Sequence, residues 1–199
     1  MSYNKSYHRF FEGYVEKKEY DPVTGRSYIK RTYAGDYYEH NLDKAAMKKV
    51  VTGYALTCAA GIAVILLQGM DPSATGKLTA FPILAEVITA AWLLFYLVCY
   101  IRAGQKLIKR QFRDREMLLS LPMAMAGGML LTAAAEIVFL VRCRMFSVRT
   151  VLCILLSILC AYLFYRMHCT EKNMEYTKII GEQEVDKDSY DITFHEGEE

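Results

Sequence analysis

The stretch VVTGYALTCAAGIAVILLQGM, Val50–Met70, decides the fold class. It runs for 21 residues without a charged side chain. A helix of that length, rising about 1.5 Å per residue, covers the roughly 30 Å of a bilayer's hydrocarbon core. Three more apolar runs follow, Phe81–Ile101, Leu121–Val141 and Val148–Tyr165, of 21, 21 and 18 residues. A helix crossing lipid satisfies its own backbone hydrogen bonds, so such runs imply helices rather than isolated strands. The expected fold is an all-α membrane protein. A four-helix transmembrane bundle occupies residues 44–169, with spans at 50–70, 81–101, 121–141 and 148–165. A small cytosolic β-hairpin segment, 1–43, precedes it, and an acidic cytosolic tail, 170–199, follows.

Charge is unevenly spread, although the net formal charge is only +2 and the mean hydropathy +0.11. Residues 1–49 carry ten Lys and Arg against seven Asp and Glu, residues 102–120 six against two, and residues 170–199 three against ten. Basic residues favour the cytosolic side of a membrane. Lys44, Lys48 and Lys49 before the first span, the loop after the second and Arg166, Lys172 and Lys178 after the fourth all fall on one side of a four-span chain. Both ends are therefore expected in the cytosol. Arg142, Arg144 and Arg149 between the third and fourth spans run against the rule and call for an acidic partner. The start of the chain lacks the apolar core of a signal peptide. With short outer loops, this fits a plasma membrane, of bacterial type.

Outside the spans, Phe11–Glu19 and Ser27–Tyr33 are rich in aromatic and β-branched residues. Asp21-Pro22-Val23-Thr24-Gly25 between them is a turn signal, so a hairpin is expected. Tyr190–His195 alternates apolar and polar and reads either as a third strand or as part of a disordered acidic tail. Asn41 or Asp43 can cap a helix starting near Lys44. The second helix is expected to continue beyond Ile101 as a basic extension, Arg102–Leu119. Its Arg102, Lys106, Lys109, Arg110, Arg113 and Arg115 would meet anionic lipid or a partner. Nucleic acid is not expected there. The six cysteines contain no CxxC pair, so no metal site is expected. Spacing permits a Cys143–Cys153 disulfide.

Each span has one face of small or polar residues. These are Thr57, Gly61 and Gln68 on the first; Pro82, Glu86 and Ala90 on the second; Ala124, Gly128, Thr132 and Glu136 on the third; and Cys153, Ser157 and Ala161 on the fourth. Small residues let membrane helices approach closely, so these faces are expected to turn inward, with Ala124, Gly128 and Thr132 as the packing face of the third helix. Glu86 and Glu136 lie about five residues inside the outer boundary, near Gln68. An ionisable side chain in a span is costly and suggests function. Two readings follow. As structural glue the glutamates can pair with Arg142, Arg144 or Arg149 or take hydrogen bonds from Thr or Tyr; otherwise they can form a proton or ion site.

No HExxH, GxSxG, P-loop or dinucleotide turn is present, and all four histidines lie outside the spans. The chain thus reads as non-enzymatic and without a cofactor. Its first functional reading is a multi-pass membrane subunit or scaffold that binds a cytosolic or membrane protein through its soluble segments. The alternative is a homo-oligomeric transporter or channel for protons, ions or a small solute, using the membrane glutamates.

Overall fold

The computed structural model describes residues 14–23, 25–71, 77–143 and 147–180. Among these residues nine elements follow in order: β1 Tyr14–Asp21, β2 Arg26–Tyr33, β3 Tyr37–His40, α1 Lys44–Gly69, α2 Lys77–Ala103, β4 Lys106–Ile108, α3 Lys109–Cys143, α4 Val148–Lys172 and β5 Tyr176–Ile179. The chain divides into two compact units, Met1–Tyr37 with Lys178–Glu199, and Tyr38–Thr177.

In the first unit β1 and β2 form an antiparallel hairpin with Tyr14 opposite Tyr33 and Asp21 opposite Arg26. The turn follows Asp21-Pro22, and Gly25 takes a left-handed φ of 66°, which glycine adopts without strain. The Tyr14 and Tyr33 rings meet edge to face at 5.1 Å. Phe11 to Gly13 lie outside the described residues, as do Tyr190–His195, the candidate third strand.

The second unit is the helical bundle. Asp43 caps α1, its carboxylate accepting from the Ala46 amide at 2.6 Å. Each helix packs on its two neighbours in a closed ring, α1 on α2, α2 on α3, α3 on α4 and α4 on α1. All four helices are long and apolar enough to cross a membrane. A three-stranded sheet in the order β4–β3–β5 lies at one end. We call this the sheet end, and the end carrying the α1–α2 and α3–α4 connections the distal end.

The expected basic extension of α2 is not formed. Gly104 enters the left-handed region at φ 72° and stops the helix, as glycine does after a C-terminus. The chain then makes the short strand β4, and the remainder of the stretch begins α3. Of the expected packing face of α3, Gly128, Thr132 and Glu136 turn inward, but Ala124 does not. Ala124 is exposed, whereas Met125, Met129, Thr132 and Glu136 are buried. Only Gly128 of the two adjacent glycines is a close approach: a Cβ there would lie 2.9 Å from Cγ of Glu86, while one at Gly127 would meet nothing within 4 Å. Cys153 is a free, buried thiol, so the Cys143–Cys153 bridge is not formed.

The bundle is inverted in polarity. Leu56, Leu66, Phe81, Leu84 and Phe95 face outward, and Trp92 is 53% exposed. Gln68, Thr132, Glu136 and Ser157 are 0% exposed and Glu86 1%. In water this arrangement would leave the largest apolar side chains unburied. Against lipid tails it is the stable one.

Candidate functional site

Two polar layers lie inside the bundle. In the distal layer the Gln68 amide donates to Ser157 Oγ at 2.8 Å, linking α1 to α4. Thr132 Oγ1 donates to Glu86 Oε1 at 2.5 Å, linking α3 to α2. One turn beyond Thr132 on α3 is Glu136, which lies within electrostatic reach of Asp71 and Glu86. Asp71, at the end of α1, accepts from Thr150 Oγ1 at 3.1 Å on both carboxylate oxygens. The result is a ladder of oxygen-bearing side chains descending from Asp71 and Thr150, through Glu136, to Glu86, Gln68 and Ser157.

This ladder is incompletely satisfied. Both oxygens of Glu136, Oε2 of Glu86 and Oε1 of Gln68 are buried without a hydrogen-bond partner. Among the described residues no arginine fills the gap. Arg142 and Arg149 are exposed, and Arg144 lies outside the described residues. Of the expected structural partners, a threonine serves Glu86, through Thr132, whereas among the described residues no arginine pairs with either glutamate and both oxygens of Glu136 are without a hydrogen-bond partner. A buried carboxylate without a counter-charge is strongly disfavoured, so Glu136 has to be neutralised by a proton or a bound cation.

In the second layer, at the sheet end, both oxygens of one carboxylate are satisfied, while the neighbouring buried His40 has no hydrogen-bond partner on either ring nitrogen. Glu171, near the end of α4 and 0% exposed, is its centre. Arg115 Nε donates to its Oε1 at 2.5 Å, and Arg115 Nη2 to its main-chain oxygen at 2.5 Å. The hydroxyls of Tyr176 and Tyr54 donate to Oε1 and Oε2 at 3.0 and 3.1 Å. Tyr100 joins through a 2.9 Å contact between its hydroxyl and that of Tyr176. Arg115 also lies over the Tyr176 ring, 4.3 Å from its centre. One carboxylate thus ties together all four helices and β5. Burial, and then the Glu171 carboxylate, hold the Tyr176 phenol well above its ordinary range, so it stays a donor.

The basic stretch divides accordingly. Arg102, Lys106, Lys109, Arg110 and Arg113 are exposed at the sheet end, whereas Arg115 turns inward to Glu171. Charge pattern alone grouped Arg115 with the others. Its partner lies 56 residues away, beyond the reach of any local pattern. A small pocket of about 20 Å³ opens beside this layer, lined by Tyr96, Cys99, Tyr100, Leu107, Gln111 and Arg115 among others. Among the described residues, no group of three or more His, Cys, Asp or Glu is placed to hold a metal ion.

No known protein family matches this chain, and no curated protein or solved structure is significantly similar to it.

Proposed function

We propose that this is a multi-pass membrane protein that carries a proton or a small inorganic cation through its helical bundle, using Glu136 and Glu86. The observation that carries this reading is Glu136, fully enclosed and without a partner on either oxygen. A purely structural glutamate in a span is expected to be paired, because an unpaired one destabilises the protein without return. The neighbours of Glu136 are oxygen donors, which suit protons and hard cations. The sheet end faces the cytosol in this reading, since exposed Arg102, Lys106, Lys109, Arg110, Arg113, Arg166 and Lys172 gather there. The membrane is the plasma membrane, of bacterial type. The activity is non-enzymatic.

The test is flux. In liposomes the wild-type protein should carry a pH-dependent cation current that Glu136→Gln abolishes while the protein remains folded. Wild-type liposomes as tight as empty ones would exclude the reading.

The subunit or scaffold role remains as a second reading, carried by the hairpin. Tyr20, Val23, Tyr28 and Ile29 are exposed on β1, β2 and their turn, an apolar set that a protein partner could cover. Removing residues 1–33, which spares β3, should leave membrane insertion intact and release that partner. If the shortened protein retains every partner of the full chain, the scaffold role fails.

A further inference from the structure

The reversal at Gly104 fixes where a set of basic side chains sits. Had α2 continued as a helix to Leu119, Arg113 would stand about 16 Å beyond Arg102, clear of a membrane. Instead α2 stops, β4 intervenes, and α3 packs back along α2. The basic residues are thereby returned to the edge of the outward apolar surface. Arg102 directly follows exposed Ile101, and Arg166 directly follows exposed Tyr165. Arg113 precedes exposed Met117 by four residues, about 6 Å of helix. The headgroup zone of one leaflet is roughly 5–8 Å deep. On three of the four helices an exposed arginine therefore stands within one headgroup depth of the apolar belt. Exposed Lys106, on β4, lies between Arg102 and Arg113 along the chain.

We infer that this sheet-end belt, Arg102, Lys106, Arg113 and Arg166, binds the headgroups of anionic phospholipids. The inference rests on the membrane half of the reading above and is independent of transport. Charge complementarity selects the ligand. Among the described residues none of these four side chains has an ion-pair partner, whereas Arg115 of the same stretch is spent on Glu171. Residues 102–120 expose one acid, Glu116, against five basic side chains. Depth separates lipid from protein as the occupant. A charge at headgroup level meets lipid phosphate before it meets a soluble partner, and an anionic leaflet attracts juxtamembrane basic residues. A planar guanidinium also takes two phosphate oxygens at once.

The chain carries its own reporter of the lipid beside α2. Trp92 is the single tryptophan, and it faces outward ten residues before Arg102, about 15 Å along the helix. That is about half the thickness of the hydrocarbon core. An acyl chain whose headgroup is held at Arg102 therefore extends along α2 to the level of the Trp92 indole.

The experiment uses full-length protein in phosphatidylcholine vesicles containing, at equal mole fraction, either brominated phosphatidylglycerol or brominated phosphatidylcholine. Bromine on an acyl chain quenches the fluorescence of an indole it touches. Wild type should be quenched more strongly by the anionic lipid, and the excess should shrink as salt rises. Arg102→Gln, Lys106→Gln and Arg113→Gln combined should lower that preference about fivefold, the factor contributed by one basic charge near an anionic leaflet. The distal pair Arg142→Gln with Arg149→Gln should leave it in place. Equal quenching of wild type by the two lipids overturns the inference and leaves the belt to a protein partner. A preference that the triple variant retains, or that the distal pair removes equally, also overturns it. With no quenching by either lipid Trp92 does not face a bilayer, and the membrane reading fails as well.

Discussion

Replacing Glu171 with alanine is expected to lower the unfolding free energy of the bundle by about 3–5 kcal/mol, the range seen when one member of a buried ion pair is removed. The reason is the crowd of donors that Glu171 serves. Arg115 would lose its ion-pair partner at a site where its side chain is 13% exposed, and the hydroxyls of Tyr54 and Tyr176 would lose their acceptor. Unfolding measured in a mild detergent gives the value, with Arg115→Ala losing a comparable amount. The double replacement Arg115→Met with Glu171→Met should recover much of it, because it leaves no lone charge behind. If the double variant is as unstable as the sum of the two singles, Arg115 and Glu171 act independently and the node is not a unit.

Replacing Glu136 with leucine is expected to act in the opposite direction, stabilising the bundle by about 1–3 kcal/mol while removing the transport function. That range is the penalty for a buried polar group without a partner. Leucine has a similar reach and no polar atom, and the surrounding helices already bury Ala133, Ala135 and Cys153. Glu86→Leu should gain less or lose, because Thr132 Oγ1 then has no acceptor on α2. Stability and activity are thus expected to separate at Glu136, as they do where a strained group is retained for its function. Thermal unfolding of Glu136→Leu beside wild type decides the matter. A loss of stability there would mean that Glu136 has a structural partner after all.

The sequence reveals the four helices because length and apolarity alone define them: no alternative structure satisfies the backbone of Val50–Met70 in lipid. The hairpin is legible too, since Asp21-Pro22 and Gly25 specify a turn by their backbone chemistry. The inward faces of α1 and α4 follow from period, with Gly61, Gln68, Cys153, Ser157 and Ala161 all buried. Elsewhere local pattern misleads. Gly104 is one glycine in a basic stretch that otherwise reads as helix, yet its positive φ ends α2 and leads into β4. Tyr176–Ile179 forms a strand beside β3 soon after α4 that no sequence signal marks, while Tyr190–His195 lies outside the described residues. The face of α3 is set by the bulk of Met125 and Met129 rather than by its smallest residues, so Ala124 turns outward.

The site was half legible. Counting residues placed Glu86, Glu136 and Gln68 at similar depth, because helical rise is fixed. Their partners were legible only in part: Glu86 takes a threonine hydrogen bond, but no described arginine joins it. Arginines close in sequence invite pairing, but Arg142 and Arg149 project outward, where a solvated charge costs less than one drawn into the bundle. The node around Glu171 was invisible for another reason. Its members, Tyr54, Tyr100, Arg115 and Tyr176, come from four separate elements and share no spacing.

The most direct test of the transport claim is the initial rate of cation entry into liposomes containing either wild-type protein or Glu136→Gln at equal, verified density. The rate is followed under an imposed pH gradient and then under sodium and potassium gradients. The account predicts entry above the empty-liposome rate for wild type under the pH gradient, and a return to the empty-liposome rate for Glu136→Gln. Equal rates for the two proteins, or a wild type indistinguishable from empty liposomes under every gradient, would contradict it.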